Sequence, residues 1–264
     1  MRLQRYFPFV VAVVLAGIAV AFTLKQTSSG QISSPSSASR SPAIPLSQPP
    51  TLDVANYHVA RTKIDAKRVS LWSRYQHATV SSERELIVED ARLFLVSSVS
   101  ENIFPYWYGT EWDFYGTTES PNKGKIACGY FVSTVLRDLG MKVERVRLAQ
   151  QASENIILSL TTQDHIKRYR QTAIDKFVED VRKWGTGLYV VGLDVHVGFI
   201  LNDGQDVYFV HSSYVDPYCV VRERAADSKI LASSRYRVLG RISEDDELTL
   251  KWLRGDRIAT ISSQ

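Results

Sequence analysis

The sequence predicts an α+β domain in which helices come first and an antiparallel sheet follows. Three observations support this fold class. Up to Trp184 the apolar residues recur with helical spacing, as expected for helices that bury one face. Beyond Gly187 the chain changes to short runs rich in Val, Ile, Phe and Tyr, which are typical of strands. The dipeptide Asp203-Gly204 separates two of these runs and indicates a β-hairpin, the unit from which antiparallel sheets are built.

The composition describes one globular domain with appendages. The chain has 264 residues, and 44% of them are hydrophobic, which is far from the composition of a disordered protein. The net charge of +4 arises at the N-terminus, where Arg2, Arg5 and Lys25 lie in a stretch without acidic residues. Removing these three from the 32 basic residues leaves 29 against 28 acidic ones. The charge therefore gives no support to nucleic-acid binding.

Residues 1–25 are expected to be a secretory signal peptide or an N-terminal membrane anchor. Arg2 and Arg5 precede an apolar run from Tyr6 to Leu24, and both alternatives predict export to the periplasm or cell envelope. Residues 26–51 contain nine Ser and five of the chain's nine Pro, the composition of an extended linker. We therefore expect the folded domain at residues 52–264.

Helical spacing predicts four helices before the sheet. They are expected at residues 60–79, from Ser82 onward, at 128–139 and at 164–184. Glu85 follows Ser82 at the spacing of a capping box, and Gly140 fits the left-handed position after a helix end. The segment 103–126 is rich in Gly, Pro, Trp and Tyr, which predicts an irregular loop. Strands are expected at residues 188–193, 195–202, 205–212 and 236–242.

The hairpin signal predicts that two histidines are neighbours. If Asp203 and Gly204 form the whole loop, His196 lies directly opposite His211. Directly opposed side chains project from one face of a sheet, with Cβ atoms about 4.5 to 5.5 Å apart. Gly198, on the same face as His196, is expected to leave room for a helix to approach.

Cys128 is the candidate nucleophile because it stands at the predicted start of a helix. The positive end of the helix dipole is expected to lower the pKa of its thiol and to favour the thiolate. A nearby imidazole completes the activation, and a third polar group holds that imidazole in one tautomer. Cys128, His196 and His211 can fill these three roles in that order.

These residues resemble the motifs of NlpC/P60 cell-wall peptidases. The run Ile126-Ala127-Cys128-Gly129-Tyr130-Phe131-Val132 is similar to the family's Asp-Cys-Ser-Gly-Phe-Val nucleophile motif. The run His196-Val197-Gly198, followed by His211, is similar to the family's His-Val-Gly strand and third polar residue. Upstream, Pro105-Tyr106-Trp107-Tyr108-Gly109 resembles the family's Pro-Tyr-x-Trp-Gly. The chain departs from the family at Ala127, Gly129 and Tyr108, which replace an acid, a serine and a tryptophan.

The resemblance implies a papain-like fold in which the Cys128 helix packs on the antiparallel sheet, with extra N-terminal helices. It implies hydrolysis of an amide bond, typically in the stem peptide of peptidoglycan, through a thioester on Cys128. The backbone N–H of Cys128 and the Tyr106 hydroxyl would stabilise the oxyanion. No cofactor and no metal is implied.

Four alternatives remain open from the sequence. Cys128 could form a disulfide with Cys219, which would remove the free thiol. Cys128, His196 and His211 could instead bind zinc, although a fourth ligand is missing. The scaffold could be a binding module of the cell envelope without catalysis. The enzyme could also be an amidase whose substrate lies outside the cell wall.

Overall fold

The computed structural model describes residues 54–262, so the predicted export signal and linker lie outside the described residues. The α-helices are α1 Val54–His77, α2 Ser81–Ser97, α3 Phe104–Trp107, α4 Cys128–Asp138, α5 Arg145–Ala149, α6 Ser153–Leu160, α7 Ile174–Trp184, α8 Lys229–Ser233 and α9 Asp246–Arg254. The strands are β1 Glu111–Trp112, β2 Lys125–Ile126, β3 Lys142–Val143, β4 Ile166–Arg170, β5 Gly187–Leu193, β6 Val197–Asn202, β7 Val207–Ser212, β8 Val220–Arg224, β9 Tyr236–Arg241 and β10 Arg257–Ile258. Within residues 54–262, no helix combines the length and the hydropathy needed to cross a bilayer.

The central element is a six-stranded sheet in which all neighbouring strands are antiparallel. Its strand order is β4-β9-β5-β6-β7-β8. The predicted α+β class and antiparallel sheet are therefore confirmed. The strands β5, β6, β7 and β9 begin and end within two residues of their predicted limits.

Helices cover both faces of the sheet. On one face α4 packs through Phe131, whose ring centroid lies 6.0 Å from that of Phe199 on β6. On the other face α7 buries Phe177 and Val181 in a second core with Phe209 of β7. Because side chains alternate along a strand, β6 contributes Val197 and Phe199 to the first core and Ile200 to the second.

The N-terminal helix α1 is fastened to the far end of α4. The Tyr57 hydroxyl donates a hydrogen bond of 2.6 Å to Asp138 and accepts one of 2.8 Å from Trp107. Arg61 forms an ion pair of 3.2 Å with the same Asp138 carboxylate. Burial and the neighbouring Asp138 charge raise the pKa of Tyr57, so that it stays a hydrogen-bond donor. The extra N-terminal helices therefore belong to the same packed body as α4.

The prediction of a helix at residues 164–184 is wrong for the first half of that segment. Residues Ile166–Arg170 form β4, an edge strand that pairs with β9, and the helix α7 begins only at Ile174. Ile166 and Tyr169 are buried at a spacing of three, which imitates a helix in so short a segment. Pairing with β9 decides the conformation, and Gln171 with a φ of +49° turns the chain into α7.

The predicted capping box of α2 is also wrong. The helix begins at Ser81, and its N-cap residue is Val80, which makes no side-chain hydrogen bond to the first turn. Ser82 and Glu85 therefore lie inside the helix. At α4, by contrast, the helix starts at Cys128 and Gly140 adopts a φ of +90°, as predicted.

The hairpin between β6 and β7 has a four-residue loop instead of the predicted two-residue loop. Asn202 pairs with Val207, because the Asp203 carboxylate accepts hydrogen bonds from the backbone N–H groups of Gln205 and Asp206 at 3.0 and 2.9 Å. These bonds hold the two extra residues in the turn. The register is shifted by two residues, so the faces of the strands are unchanged.

Candidate active site

Cys128 is the first residue of α4 and lies partly buried against β6. The backbone N–H groups of Val197, of Gly129 and of Cys128 itself favour the thiolate. Burial nevertheless raises the pKa of the thiol, because it outweighs these three contributions. The predicted lowering of the Cys128 pKa is therefore wrong, and the resting group is a neutral thiol.

Position 129, directly after Cys128, lies against the backbone of α5. A Cβ atom at this position would lie 2.2 Å from the backbone oxygen of Ala149, at the end of α5. Real Cβ atoms do not approach a carbonyl oxygen so closely, and the obstacle is backbone that cannot rotate away. The contact with α5 therefore requires glycine directly after Cys128.

His196 and Cys128 line the same cavity. His196 immediately precedes β6 and lines this cavity together with Cys128. The His196 side chain is only 3% exposed, and burial, followed by the charge of His211, lowers its pKa well below the ordinary value. The cavity therefore holds a neutral imidazole and a neutral thiol.

His196 and His211 are in contact, as predicted, although they are not directly opposed. Nε2 of His196 lies 2.9 Å from Nδ1 of His211. In the shifted register His211 stands opposite Gly198, where a Cβ atom would lie 2.8 Å from the Cβ of His211. Gly198 therefore makes room for the Cβ of His211 and the ring of Phe209, and not for a helix as predicted.

A carboxylate extends this chain of side chains to a third strand. Nε2 of His211 lies 3.2 Å from Oε1 of Glu223 on β8. Burial alone would raise the pKa of Glu223, but hydrogen bonds with His211 and Ser228 bring it below its ordinary value. Glu223 is therefore ionised at neutral pH and acts only as a hydrogen-bond acceptor.

The ionised Glu223 sets the tautomers of both histidines. Because it can only accept, Nε2 of His211 must carry a proton. Burial lowers the pKa of His211, so this ring is neutral and its Nδ1 accepts from His196. The proton between the rings then belongs to Nε2 of His196. Nδ1 of His196 is left without a proton, as a general base requires.

Tyr106 is not brought to the cavity. Its ring packs against Tyr57 at a centroid distance of 5.1 Å, and its backbone oxygen accepts from Asn122. Tyr214 takes the place beside the candidate pair instead. Its ring lies 5.1 Å from His196. Tyr214 lines the same cavity as Cys128, and burial, the charge of a Cys128 thiolate and Asp194 raise its pKa.

Cys128 and Cys219 are both free thiols, so the alternative of a disulfide between them is wrong. Cys219 precedes β8, and burial raises the pKa of its thiol. Among residues 54–262, no group of three His, Cys, Asp or Glu side chains has the geometry of a metal site.

Two depressions meet at Cys128 and His196. The larger is a cavity of about 610 Å³ whose lining includes five Trp, Phe and Tyr side chains. The smaller is a cleft of about 270 Å³ that contains the polar side chains of Gln151, Ser153 and Asp194. Both depressions are therefore open to the Cys128 and His196 side chains.

Sequence reasoning missed Glu223 and Tyr214. Glu223 lies on β8, a strand that was not predicted because Val220–Arg224 is half charged and has no clear period. Tyr214 lies two residues after the end of β7. Its place just beyond the predicted strand that carries His211 was the available signal that it lies near the histidines.

Comparison with protein-family models, with curated proteins and with solved structures finds no match to this chain. The interpretation of the site therefore depends on its geometry.

Proposed function

We propose that this chain is a cysteine hydrolase of papain-like fold, similar to NlpC/P60 enzymes, with Cys128 as nucleophile and His196 as general base. One observation carries the proposal. Cys128, at a helix start, and His196 line the same cavity, and Nε2 of His196 lies 2.9 Å from Nδ1 of His211. A nucleophile, a base and a group that orients the base are the parts of a catalytic triad.

The reaction is an acyl transfer in two steps. Nδ1 of His196 takes the thiol proton while the sulfur attacks the substrate carbonyl carbon. The C–S bond forms, and the amine leaves with the proton from His196. Water then attacks the thioester and gives a proton to His196, and the C–S bond breaks to restore the thiol.

Two further features support this chemistry. The first N–H groups of α4 lack partners within the helix and are available to the oxyanion. Burial raises the pKa of the thiol and lowers that of the imidazole. Both groups are therefore neutral at rest, and the proton moves during the attack.

The stem peptide of peptidoglycan is the substrate that the resemblance implies, and an exported enzyme would meet it in the cell envelope. The test is hydrolysis of purified peptidoglycan and of simple amides by the wild-type protein, Cys128→Ala and Cys219→Ala. We expect Cys128→Ala to lose all hydrolysis. Cys219→Ala, which removes the other thiol of the chain and serves as the control, should keep wild-type rates. Equal product profiles for the wild type and Cys128→Ala would exclude it.

A binding module without catalysis is the second candidate, because a buried thiol of raised pKa is less nucleophilic than a thiolate. Iodoacetamide labelling of the native protein at neutral pH separates the two. A module predicts no labelling of Cys128, whereas the hydrolase predicts carboxamidomethylation there.

A further inference from the structure

The cavity beside Cys128 is walled by apolar and aromatic side chains that are open to solvent. Phe114 is 71% exposed, Tyr115 is 83% exposed and Val195 is 80% exposed. Trp112 and Tyr214 close the inner wall, with ring centroids 6.4 Å apart. Large apolar side chains concentrated at one opening are typical of a binding site for an apolar group.

Among the described residues that line this cavity, none is charged. The neighbouring Arg145 lies against the ring of Tyr130, with its guanidinium 4.9 Å from the ring centroid. Its N–H groups already bond Thr134 and the backbone oxygens of Thr117 and Thr118. A carboxylate or ammonium group placed in the cavity would therefore lose water without gaining an ionic partner, which is costly.

The cleft on the other side of Cys128 has the opposite character. It contains Asp194, whose carboxylate accepts from Ser234 and from the backbone N–H of Arg235, and also Ser153 and Gln151. An amine leaving group suits this polar surface.

We infer that the substrate carries an uncharged aliphatic acyl chain, which lies in the aromatic cavity while a polar amine occupies the cleft. This inference rests on the proposed function and names its substrate class. The acyl carbon forms the thioester with Cys128, the C–N bond breaks, and the amine takes its proton from His196. The ionic stem peptide of peptidoglycan fits this cavity less well than an N-acyl amine does.

Alkylation of Cys128 by a series of N-alkylmaleimides tests the cavity independently of hydrolysis. The protein carries Cys219→Ser, and the reagents bear ethyl, butyl or octyl chains. We expect the rate constant to rise about two- to fourfold for each methylene group that the cavity buries. A second maleimide has a chain of the same length as octyl but ends in a carboxylate. It should react more slowly than the octyl reagent.

Wall variants show whether the chain binds in this cavity. Tyr115→Ser and Phe114→Ser should flatten the dependence on chain length, whereas Leu86→Ser, the same kind of change on an exposed residue of α2, should keep it. A rate that is independent of chain length in the parent protein would overturn the inference. So would a chain-length dependence that survives in both wall variants, or faster reaction of the carboxylate reagent.

The two proposals fail differently in this experiment. Labelling that is rapid but independent of chain length would contradict the apolar substrate and would be compatible with a hydrolase. If no reagent labels Cys128, both the apolar substrate and the hydrolase are contradicted. The acyl assignment is tested with acetyl and octanoyl amides of one fluorescent amine. We expect the higher kcat/KM for the octanoyl amide, and a higher value for the acetyl amide would contradict the assignment.

Discussion

Nε2 of His196 lies 2.9 Å from Nδ1 of His211, and the contact runs diagonally across two strands. His211 makes a second diagonal contact with Glu223 on the next strand. The carboxylate therefore fixes the proton positions on both rings and leaves Nδ1 of His196 without a proton.

Glu223→Gln tests this relay. A glutamine amide can accept from His211 or donate to it, so the variant loses control of the tautomer and loses the negative charge that favours a protonated imidazole. We expect kcat/KM to fall by about tenfold, equivalent to about 1.4 kcal/mol. Hydrolysis rates across pH measure the effect. Arg222→Gln, a change of charge on the neighbouring residue of β8, is the control, and equal losses in both variants would contradict a specific relay.

Tyr214→Phe tests which tyrosine assists the reaction. The ring beside His196 is kept, and only the hydroxyl is removed from the cavity that Tyr214 lines together with Cys128. We expect kcat/KM to fall by roughly tenfold to a hundredfold. This is less than the decrease that usually follows removal of one hydrogen-bond donor from an oxyanion hole. Tyr106→Phe, away from the cavity, should retain wild-type kinetics. The reverse ranking of the two variants would return the role to Tyr106.

Gly129→Ser tests the close approach of α4 and α5. The new side chain meets the backbone oxygen of Ala149, so we expect a loss of about 1 to 3 kcal/mol in the free energy of unfolding. Ala127→Ser places the same side chain at the N-cap, where it can cap α4, and should be neutral or stabilising by about 0.5 to 1 kcal/mol. Urea denaturation measures both, and equal destabilisation by the two changes would exclude this explanation.

The buried histidines predict that stability falls as pH is lowered. Burial lowers the pKa of His196 and of His211 in the folded state, so below about pH 6.5 the unfolded chain binds protons that the folded chain does not. The free energy of unfolding should therefore decrease by up to about 1.4 kcal/mol per pH unit for each histidine. Denaturation between pH 7 and 5.5 measures this slope. It should become shallower in His196→Asn and stay unchanged in His58→Asn, an exposed control.

Some of this site could be predicted because its causes are local. Cys128 starts a helix and Gly140 ends it through apolar spacing and glycine conformation alone. The contact of His196 with His211 was predicted from a wrong register, and it survived because a shift of two residues preserves the faces of both strands.

The remaining features depend on contacts between distant segments. Ile166–Arg170 becomes a strand because β9 offers a free edge, and Glu223 reaches His211 only because β8 pairs with β7. The raised pKa of Cys128 reflects how deeply the packed elements bury the sulfur. The helix start alone predicts the opposite direction of shift.

The central claim is that His196 activates Cys128, and the pH dependence of iodoacetamide labelling tests it most directly. In a Cys219→Ser background, the parent protein should be labelled at pH 7 because His196 accepts the thiol proton. His196→Ala should react at least about tenfold more slowly at pH 7 and should approach the parent only in the alkaline range, where the thiol ionises unaided. Identical pH profiles with and without His196 would contradict the account.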